Sequence, residues 1–188
     1  MIARFCLVGA ALTLAACAEP ARVAEMTVAA GAVDAAGTAI ERSVCVKSVA
    51  GGEETNPLWT SEVDDAGFRG ALERSLSNNG LSPTTSADCR YDLDTNLLGL
   101  AQPSVGFDMT VTANVNYSVF TRATGEPFFQ STVQTPFTAD FSSAFAGVER
   151  LKLANEGAIR TNIETFLDEL VTDAKRRPAA PPTGAPAS

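Results

Sequence analysis

Several residue patterns that commonly perform catalysis are missing from this sequence of 188 residues. It contains no histidine, which excludes a Ser-His-Asp triad, a Cys-His nucleophile pair and an imidazole metal site. No Gly-x-Gly sequence is present for binding the phosphates of a dinucleotide. None of the lysines follows a serine at the spacing of Ser-x-x-Lys acyl-enzymes. We therefore predict that the protein is not an enzyme.

The acidic residues form one pattern that could bind a metal ion. Asp92, Asp94 and Asn96 are spaced like the first ligands of a calcium loop, but Leu97 occupies the position of the loop glycine and Pro103 that of its final glutamate. We predict no metal site and no bound cofactor. A hydrolase that uses two carboxylates is the least favoured alternative, because the sequence alone cannot bring two acids into one cleft.

The N-terminus has the features of a bacterial export signal. Met1–Arg4 is positively charged, and residues 5–14 are apolar but too few to span a bilayer. The following Leu14-Ala15-Ala16-Cys17 resembles a lipobox, which implies cleavage before Cys17 and acylation of that cysteine. The alternative is an ordinary secretory signal with an incidental cysteine. Ala18, rather than Asp, follows Cys17, and the sorting rule for lipoproteins then implies the outer membrane, with the domain facing the periplasm.

The charge of the mature chain limits its partners. Removal of residues 1–16, which include Arg4, leaves 172 residues and changes the net charge from −8 to −9. This acidity argues against nucleic acid and against adhesion to anionic lipid, since both require basic patches. We expect two partners: the membrane, to which the lipid anchor attaches the protein, and a protein of the cell envelope.

Two further cysteines remain in the mature chain, Cys45 and Cys89. In an oxidising periplasm they could form a disulfide, which by the loop-entropy model would stabilise the fold by about 4 kcal/mol. The alternative is a pair of buried thiols that behave as small hydrophobic residues. The sequence leaves both possibilities open.

Composition divides the chain into four parts. We predict a signal peptide over residues 1–16, a membrane tether over 17–42, one folded domain over 43–173 and a disordered Pro/Ala-rich tail over 174–188.

Hydrophobic periodicity predicts the elements of the domain. A helix is expected from an N-cap at Ser61 to a left-handed Gly80, and alternation from Val105 to Val119 predicts a strand whose buried face includes Phe107. Phe145 belongs to the apolar stripe of a final helix. The predicted elements are strand 43–50, helix 61–79, strands 90–100, 105–119 and 129–137, and helix 142–173. The predicted fold class is α+β, a two-layer sandwich in the order strand-helix-strand-strand-strand-helix, with a mostly antiparallel sheet and helices on one face.

Two segments supply candidate partner-binding residues. The first contains Trp59, the only tryptophan, which could be an exposed anchor for a partner or could pack under its own loop. The second contains Asn155, Glu156 and Arg160 on the final helix. Asn155 could bind a partner or the backbone of a strand, and Glu156 and Arg160 have the spacing of a surface ion pair.

Gly157 lies within the same helix and predicts a close approach. Glycine destabilises a helix interior by about 1 kcal/mol relative to alanine, so we expect another part of the molecule to contact the backbone there. Asn162, seven residues after Asn155, lies on the same helical face.

These motifs resemble those of a known family. The lipobox, Thr55-Asn-Pro-Leu-Trp59, the Leu97-Leu-x-Leu-x-Gln-Pro103 segment and residues 150–163 are together similar to a family of small, uncharacterised proteobacterial lipoproteins. The architecture is similar to that of outer-membrane lipoproteins that assist lipopolysaccharide assembly. The resemblance implies a lipid-anchored protein that binds a protein or lipid partner in envelope assembly or transport. The alternative is an accessory lipoprotein of an inner-membrane lipid transporter.

Overall fold

The computed structural model describes residues 18–56, 61–103 and 106–177. The predicted acylation site Cys17 and the candidate Trp59 lie outside these residues, as does 178–188. The elements are α1 (Val23–Met26), β1 (Val44–Ala50), α2 (Asp65–Asn78), β2 (Tyr91–Ala101), β3 (Met109–Thr121), β4 (Pro127–Ala139) and α3 (Gly147–Arg176).

The four strands form one sheet in the order β1-β2-β3-β4. β1 pairs with β2 in parallel, and α2 makes the connection between them. β2–β3 and β3–β4 are antiparallel. The predicted fold class is confirmed: an α+β sandwich with a mostly antiparallel sheet and the predicted order of strands and long helices.

The alternation of side chains along the strands separates a buried face from a solvated one. In β3 the residues from Met109 to Val119 alternate between buried and less buried positions, and both long helices pack on the buried face. The opposite face of β3 and β4 carries threonine, asparagine, glutamine and serine side chains. Asp92 and Asp94 lie on this second face of β2 and accept hydrogen bonds from Arg122 and Ser48.

The helix α2 ends where the sequence predicts but begins later. Gly80 has a φ of +69°, and the N–H of Leu81 donates to the carbonyl of Leu76 at 2.9 Å, as expected for a left-handed termination. At the other end the N-cap is Asp64, whose carboxylate accepts from the N–H of Gly67, so the predicted cap at Ser61 is wrong. The Ser61 hydroxyl instead donates to the carbonyl of Glu19, outside the helix.

A disulfide joins Cys45 on β1 to Cys89, immediately before β2, with 5.8 Å between the Cα atoms. The bond therefore links the parallel edge strand to its neighbour covalently.

Residues 18–42 are not a free tether, which corrects the predicted domain boundary. Met26, Val28, Ala35 and Ile40 of this segment are buried in the core. The backbone of the segment is bonded by side chains of the two long helices rather than by a strand partner. In α2, for example, Ser75 Oγ accepts from the N–H of Val28. Hydrogen bonds from side chains to the backbone require no periodic sequence pattern. The sequence of residues 18–42 therefore resembles that of a linker, although the segment packs as part of the domain.

The helix α3 lies against β3 and β4 at two special positions. A Cβ atom on Gly157 would lie 2.2 Å from the ring of Phe137 on β4, so only glycine permits this approach, as predicted. One turn further, Asn162 Nδ2 donates to the carbonyls of Ala113 and Val133 at 3.2 and 2.9 Å. Its Oδ1 accepts from the buried hydroxyl of Tyr117 at 2.9 Å.

Two phenylalanines predicted to be buried are exposed. β3 begins at Met109 and α3 at Gly147, so Phe107 and Phe145 precede these elements and are not part of their apolar faces. Their side chains are 78% and fully exposed, respectively.

Within the described ranges, no helix is long and apolar enough to cross a membrane.

Gly157→Ala is expected to lower the free energy of unfolding by about 1–2 kcal/mol. The clash with the Phe137 ring costs about 1–3 kcal/mol and outweighs the roughly 1 kcal/mol gained in helix propensity. Chemical denaturation measures the change. Gly147→Ala is the matched control, since its added Cβ meets atoms no closer than 3.6 Å. Equal stability changes in the two variants would contradict the close-packing explanation.

Candidate functional site

The first described residues are bonded directly to the N-terminal half of α3. The backbone N–H of Arg22 donates to Glu156 Oε1 at 2.8 Å, and Nε and Nη2 donate to the two carboxylate oxygens at 2.9 and 3.0 Å. The Glu156 side chain is 2% exposed, whereas that of Arg22 is half exposed. The hydrogen bonds and charge of Glu156 raise the pKa of the Arg22 guanidinium further. This bidentate pair joins residues that are 134 positions apart.

A second ion pair lies one turn earlier on α3. Lys152 Nζ is 3.0 Å from Glu19 Oε2 and 2.9 Å from Glu149 Oε2. Burial lowers the pKa of Lys152, but the two carboxylates outweigh this and raise it overall. The hydrogen bond from Lys152 lowers the pKa of Glu19. The Glu19 contribution is therefore present above the unfolded pKa of a glutamate and is lost as the pH falls through the lower folded value.

Asn155 connects this region to the loop before α2. Its Nδ2 donates to the carbonyl of Ser61 at 2.7 Å, and its Oδ1 accepts from Gln102 Nε2 at 3.2 Å. Gln102 Nε2 also lies 3.0 Å from a carboxylate oxygen of Glu62. The loop, the end of β2, the N-terminal segment and α3 are thus linked by side-chain hydrogen bonds.

These contacts correct part of the predicted partner-binding set. Asn155 and Glu156 are buried, and their polar groups bind other parts of the same chain rather than projecting towards a partner. The predicted ion pair between Glu156 and Arg160 is wrong, because Glu156 pairs with Arg22 and Arg160 Nη1 donates to the carbonyl of Glu25 at 2.6 Å. The sequence could not place residues 22 and 156 side by side, since no local spacing relates them.

A small cleft beside this region contains two acids. Residues Gly51, Glu53, Glu62, Val63, Leu97, Gly99, Leu100 and Gln102 line about 160 Å³. Burial raises the pKa of Glu62, the nearby charge of Glu53 adds to this, and the hydrogen bond from Gln102 opposes it. The volume is below the roughly 300–1,000 Å³ that ligand pockets usually have.

A larger cleft lies at the C-terminal end of α2. It measures about 630 Å³ between residues 33–42 and 77–84. Arg42 extends along it and donates to Thr84 Oγ1 at 2.6 Å. The lining is polar and open to solvent.

Three phenylalanines form an exposed group at the start of α3, which we call the aromatic apex: Phe107, Phe141 and Phe145. The rings of Phe107 and Phe141 meet edge to face with centroids 5.6 Å apart. Arg150 lies over the Phe141 ring at 4.9 Å and donates to the carbonyl of Phe145 at 3.0 Å. Asp108 accepts from the N–H of Phe141 at 2.8 Å. The sequence does not reveal this group, because Phe107 and Phe145 fall in phase with the apolar patterns of the following strand and helix.

The described residues contain no group of three potential metal ligands.

Comparison with known proteins identifies the fold. No family model and no curated protein matches this chain. Protein XCC0632 from Xanthomonas campestris, of family DUF330, has a TM-score of 0.55 at 10% identity, covering 80% of this chain and 93% of its own. Hypothetical protein CT253 from Chlamydia trachomatis has a TM-score of 0.51 at 10% identity, with 73% and 99% covered. At such identities the likeness shows a shared fold alone.

Lipoprotein GNA1162 from Neisseria meningitidis also matches, at 9% identity over 69% of this chain and 98% of its own. Its TM-score of 0.41 is too low to support an argument.

Arg22→Ala is expected to destabilise the protein by about 2–3 kcal/mol, because it leaves the buried carboxylate of Glu156 without its guanidinium partner. Glu156→Gln should cost less, since the amide oxygen can still accept from the N–H of residue 22 and no buried charge remains. Urea denaturation measures both, with the exposed Arg74→Ala as control. If Arg22→Ala and Arg74→Ala lowered the free energy of unfolding equally, the Arg22–Glu156 pair would not hold the N-terminal segment.

Glu62→Gln is expected to increase the free energy of unfolding at neutral pH. A raised folded pKa means that ionised Glu62 opposes folding above its unfolded pKa, and this penalty disappears once the acid is protonated in both states. The gain over the wild type should therefore shrink as the pH falls through the raised folded pKa of Glu62, and it should vanish below the pKa of an ordinary glutamate. Denaturation at a series of pH values tests this, with the exposed Glu54→Gln as control. A gain of the same size in Glu54→Gln would point to net charge instead.

Proposed function

We propose that the chain is a lipid-anchored lipoprotein of the outer membrane that faces the periplasm. It acts without catalysis, by binding a protein or lipid partner in envelope assembly or transport. The observation that carries the proposal is the attachment of the first described residues. Glu19 and Arg22 are bonded to α3 within five positions of Cys17. An acyl chain on Cys17 would therefore hold the domain itself against the membrane.

The anchor follows from the lipobox at residues 14–17 and its position after a short apolar run. Each buried methylene of an acyl chain contributes about 0.8 kcal/mol, so a multiply acylated cysteine suffices for stable attachment without a membrane-spanning helix. Ala18 favours the outer membrane over the inner membrane under the lipoprotein sorting rule.

A binding role, rather than a catalytic one, agrees with the hydrogen bonding of the buried polar residues of α3. The buried Asn155, Glu156 and Asn162 are saturated by bonds within the chain, and the sequence has no histidine to serve as a base. A partner would thus meet the solvated face of β3 and β4, which carries uncharged polar side chains, or the segment that contains Trp59. Interfaces are depleted in charge at their centres, which suits the sheet face.

Three alternative functions share some of these features. An accessory lipoprotein of an inner-membrane lipid transporter would share the anchor but require retention at the inner membrane. A role in lipopolysaccharide assembly would also use the anchor, at the outer membrane. Fold likeness to XCC0632 and CT253 does not choose among these, because one fold supports many functions. A carboxylate-dependent hydrolase is favoured only by the raised pKa of Glu62 beside Glu53, in a cleft too small for a polymer.

Cys17→Ala is expected to abolish acylation and to release the protein from the membrane fraction or leave it as an unprocessed precursor. Labelling cells with an alkyne fatty acid, followed by gel analysis and mass spectrometry of the N-terminal peptide, detects the modification. Cys6→Ala is the matched control, since this cysteine lies within the predicted signal peptide and its loss should leave acylation intact.

Localisation and partner binding are tested in the same strains. Separation of the membranes on a sucrose gradient should recover the wild type with the outer membrane, and Ala18→Asp should move it towards the inner membrane. Wild type found with the inner membrane would favour the transporter alternative. Crosslinking in intact cells should capture an envelope protein from the wild type and not from Cys17→Ala. Capture that is independent of the anchor would contradict the proposal.

A further inference from the structure

The aromatic apex lies at the end of the domain where the N-terminal segment emerges. Phe145 precedes the first residue of α3 by two positions, and Glu19 is bonded to Lys152 on the second turn of the same helix. Residues 147 and 152 are separated by about 7.5 Å along a helix axis, at a rise of 1.5 Å per residue. Cys17 is two residues before Glu19 in the sequence and thus within about 7 Å of it along the chain, so an acyl chain on Cys17 would be attached at the end of the molecule that carries the exposed phenylalanines.

The exposed rings project from backbone that is held by hydrogen bonds. Phe107 and Phe145 are 78% and fully exposed, respectively, and Phe141 is 53% exposed, so three of the four large apolar side chains that are exposed in the described chain belong to this group. The backbone around the rings is bonded by Asp108 and Arg150. A solvent-facing aromatic group of this kind marks a surface that meets an apolar environment.

We propose that Phe107, Phe141 and Phe145 insert into the interfacial region of the lipid bilayer beside the acylated Cys17. This inference rests on the proposed lipid anchor and adds a defined orientation to it. The bilayer is the occupant because the anchor would bring the apex to the membrane surface, where aromatic side chains transfer favourably into the boundary between headgroups and acyl chains. The exposed Asp108 and Asp140 lie next to the rings, so the driving force is aromatic burial and not attraction to anionic lipid.

Insertion of the apex would set the domain upright on the membrane. β3 starts next to Phe107 and runs for 13 residues to the turn that joins it to β4. At about 3.3 Å per residue the turn would lie roughly 40 Å from the apex, well outside the bilayer. The solvated face of β3 and β4 would then stand along the membrane normal, open to a partner in the periplasm.

The test uses the full mature, acylated protein in vesicles of zwitterionic phosphatidylcholine with brominated acyl chains. Trp59→Phe removes the native tryptophan, and Phe145→Trp in that background places a fluorophore at the apex. Bromine should reduce its fluorescence about twofold, because an interfacial side chain lies about 5–10 Å deep. Ala123→Trp in the same background is the control, since the exposed Ala123 lies in the turn between β3 and β4 and should not be quenched.

A second set of variants tests the cause of insertion. Phe107→Ser with Phe141→Ser in the Phe145→Trp protein should remove most of the quenching while the acyl anchor keeps the protein on the vesicles. Leu98→Ser, at an exposed apolar residue away from the apex, should leave the quenching unchanged. The proposal names aromatic burial as the driving force. Quenching that occurs only when the vesicles contain anionic phosphatidylglycerol would therefore overturn it.

The outcomes separate this inference from the proposed function. A protein that lacks acylation by mass spectrometry contradicts the anchor itself. An acylated, vesicle-bound protein whose Phe145→Trp and Ala123→Trp variants are equally unquenched overturns the insertion of the apex and leaves the anchor in place. Thermal unfolding of each variant verifies that the domain is folded during the measurement.

Discussion

The contact between α3 and the sheet determines where the other parts of the molecule lie. The helix approaches β4 closely because Gly157 leaves room for the Phe137 ring. It is held there because Asn162 satisfies two strand carbonyls and the hydroxyl of Tyr117. An unsatisfied buried polar group costs about 1–3 kcal/mol, so a shift of the helix along the sheet would be opposed at several atoms simultaneously.

With α3 fixed in this way, its other face is available to bind the N-terminal segment. Glu156 and Lys152 are almost completely buried yet pair with residues that are at least half exposed, Arg22 and Glu19. Such pairs cost less desolvation than pairs buried on both sides, because the outer partner keeps part of its water. The same helix end carries the aromatic apex. Attachment of the N-terminal segment and exposure of the rings thus depend on one element.

The elements of the domain were largely predictable from the sequence, and the site was not. Alternation in β3 and the apolar period of α3 are local patterns. Gly80 and Gly157 are recognisable in the sequence because glycine is favoured just after a helix and unfavourable within one. Asn155 was a candidate because it lies on the apolar face of the predicted helix, and Glu156 because of its spacing from Arg160, but their actual partners could not be identified from the sequence. The binding of residues 18–42 was missed because side chains of α2 and α3, and not a strand, bond to its backbone.

By itself, the sequence determined the absence of histidine chemistry and the order of strands and long helices, and it predicts the export signal with its lipobox. Each of these depends on residue types or on spacing within a single segment. Only the tertiary structure decided that Arg22 meets Glu156, that Cys45 and Cys89 are joined, and that three phenylalanines face solvent beside the N-terminal segment. Those relations join residues tens of positions or more apart in the chain. They exist only because the packing of α3 and α2 on one sheet face brings distant segments together.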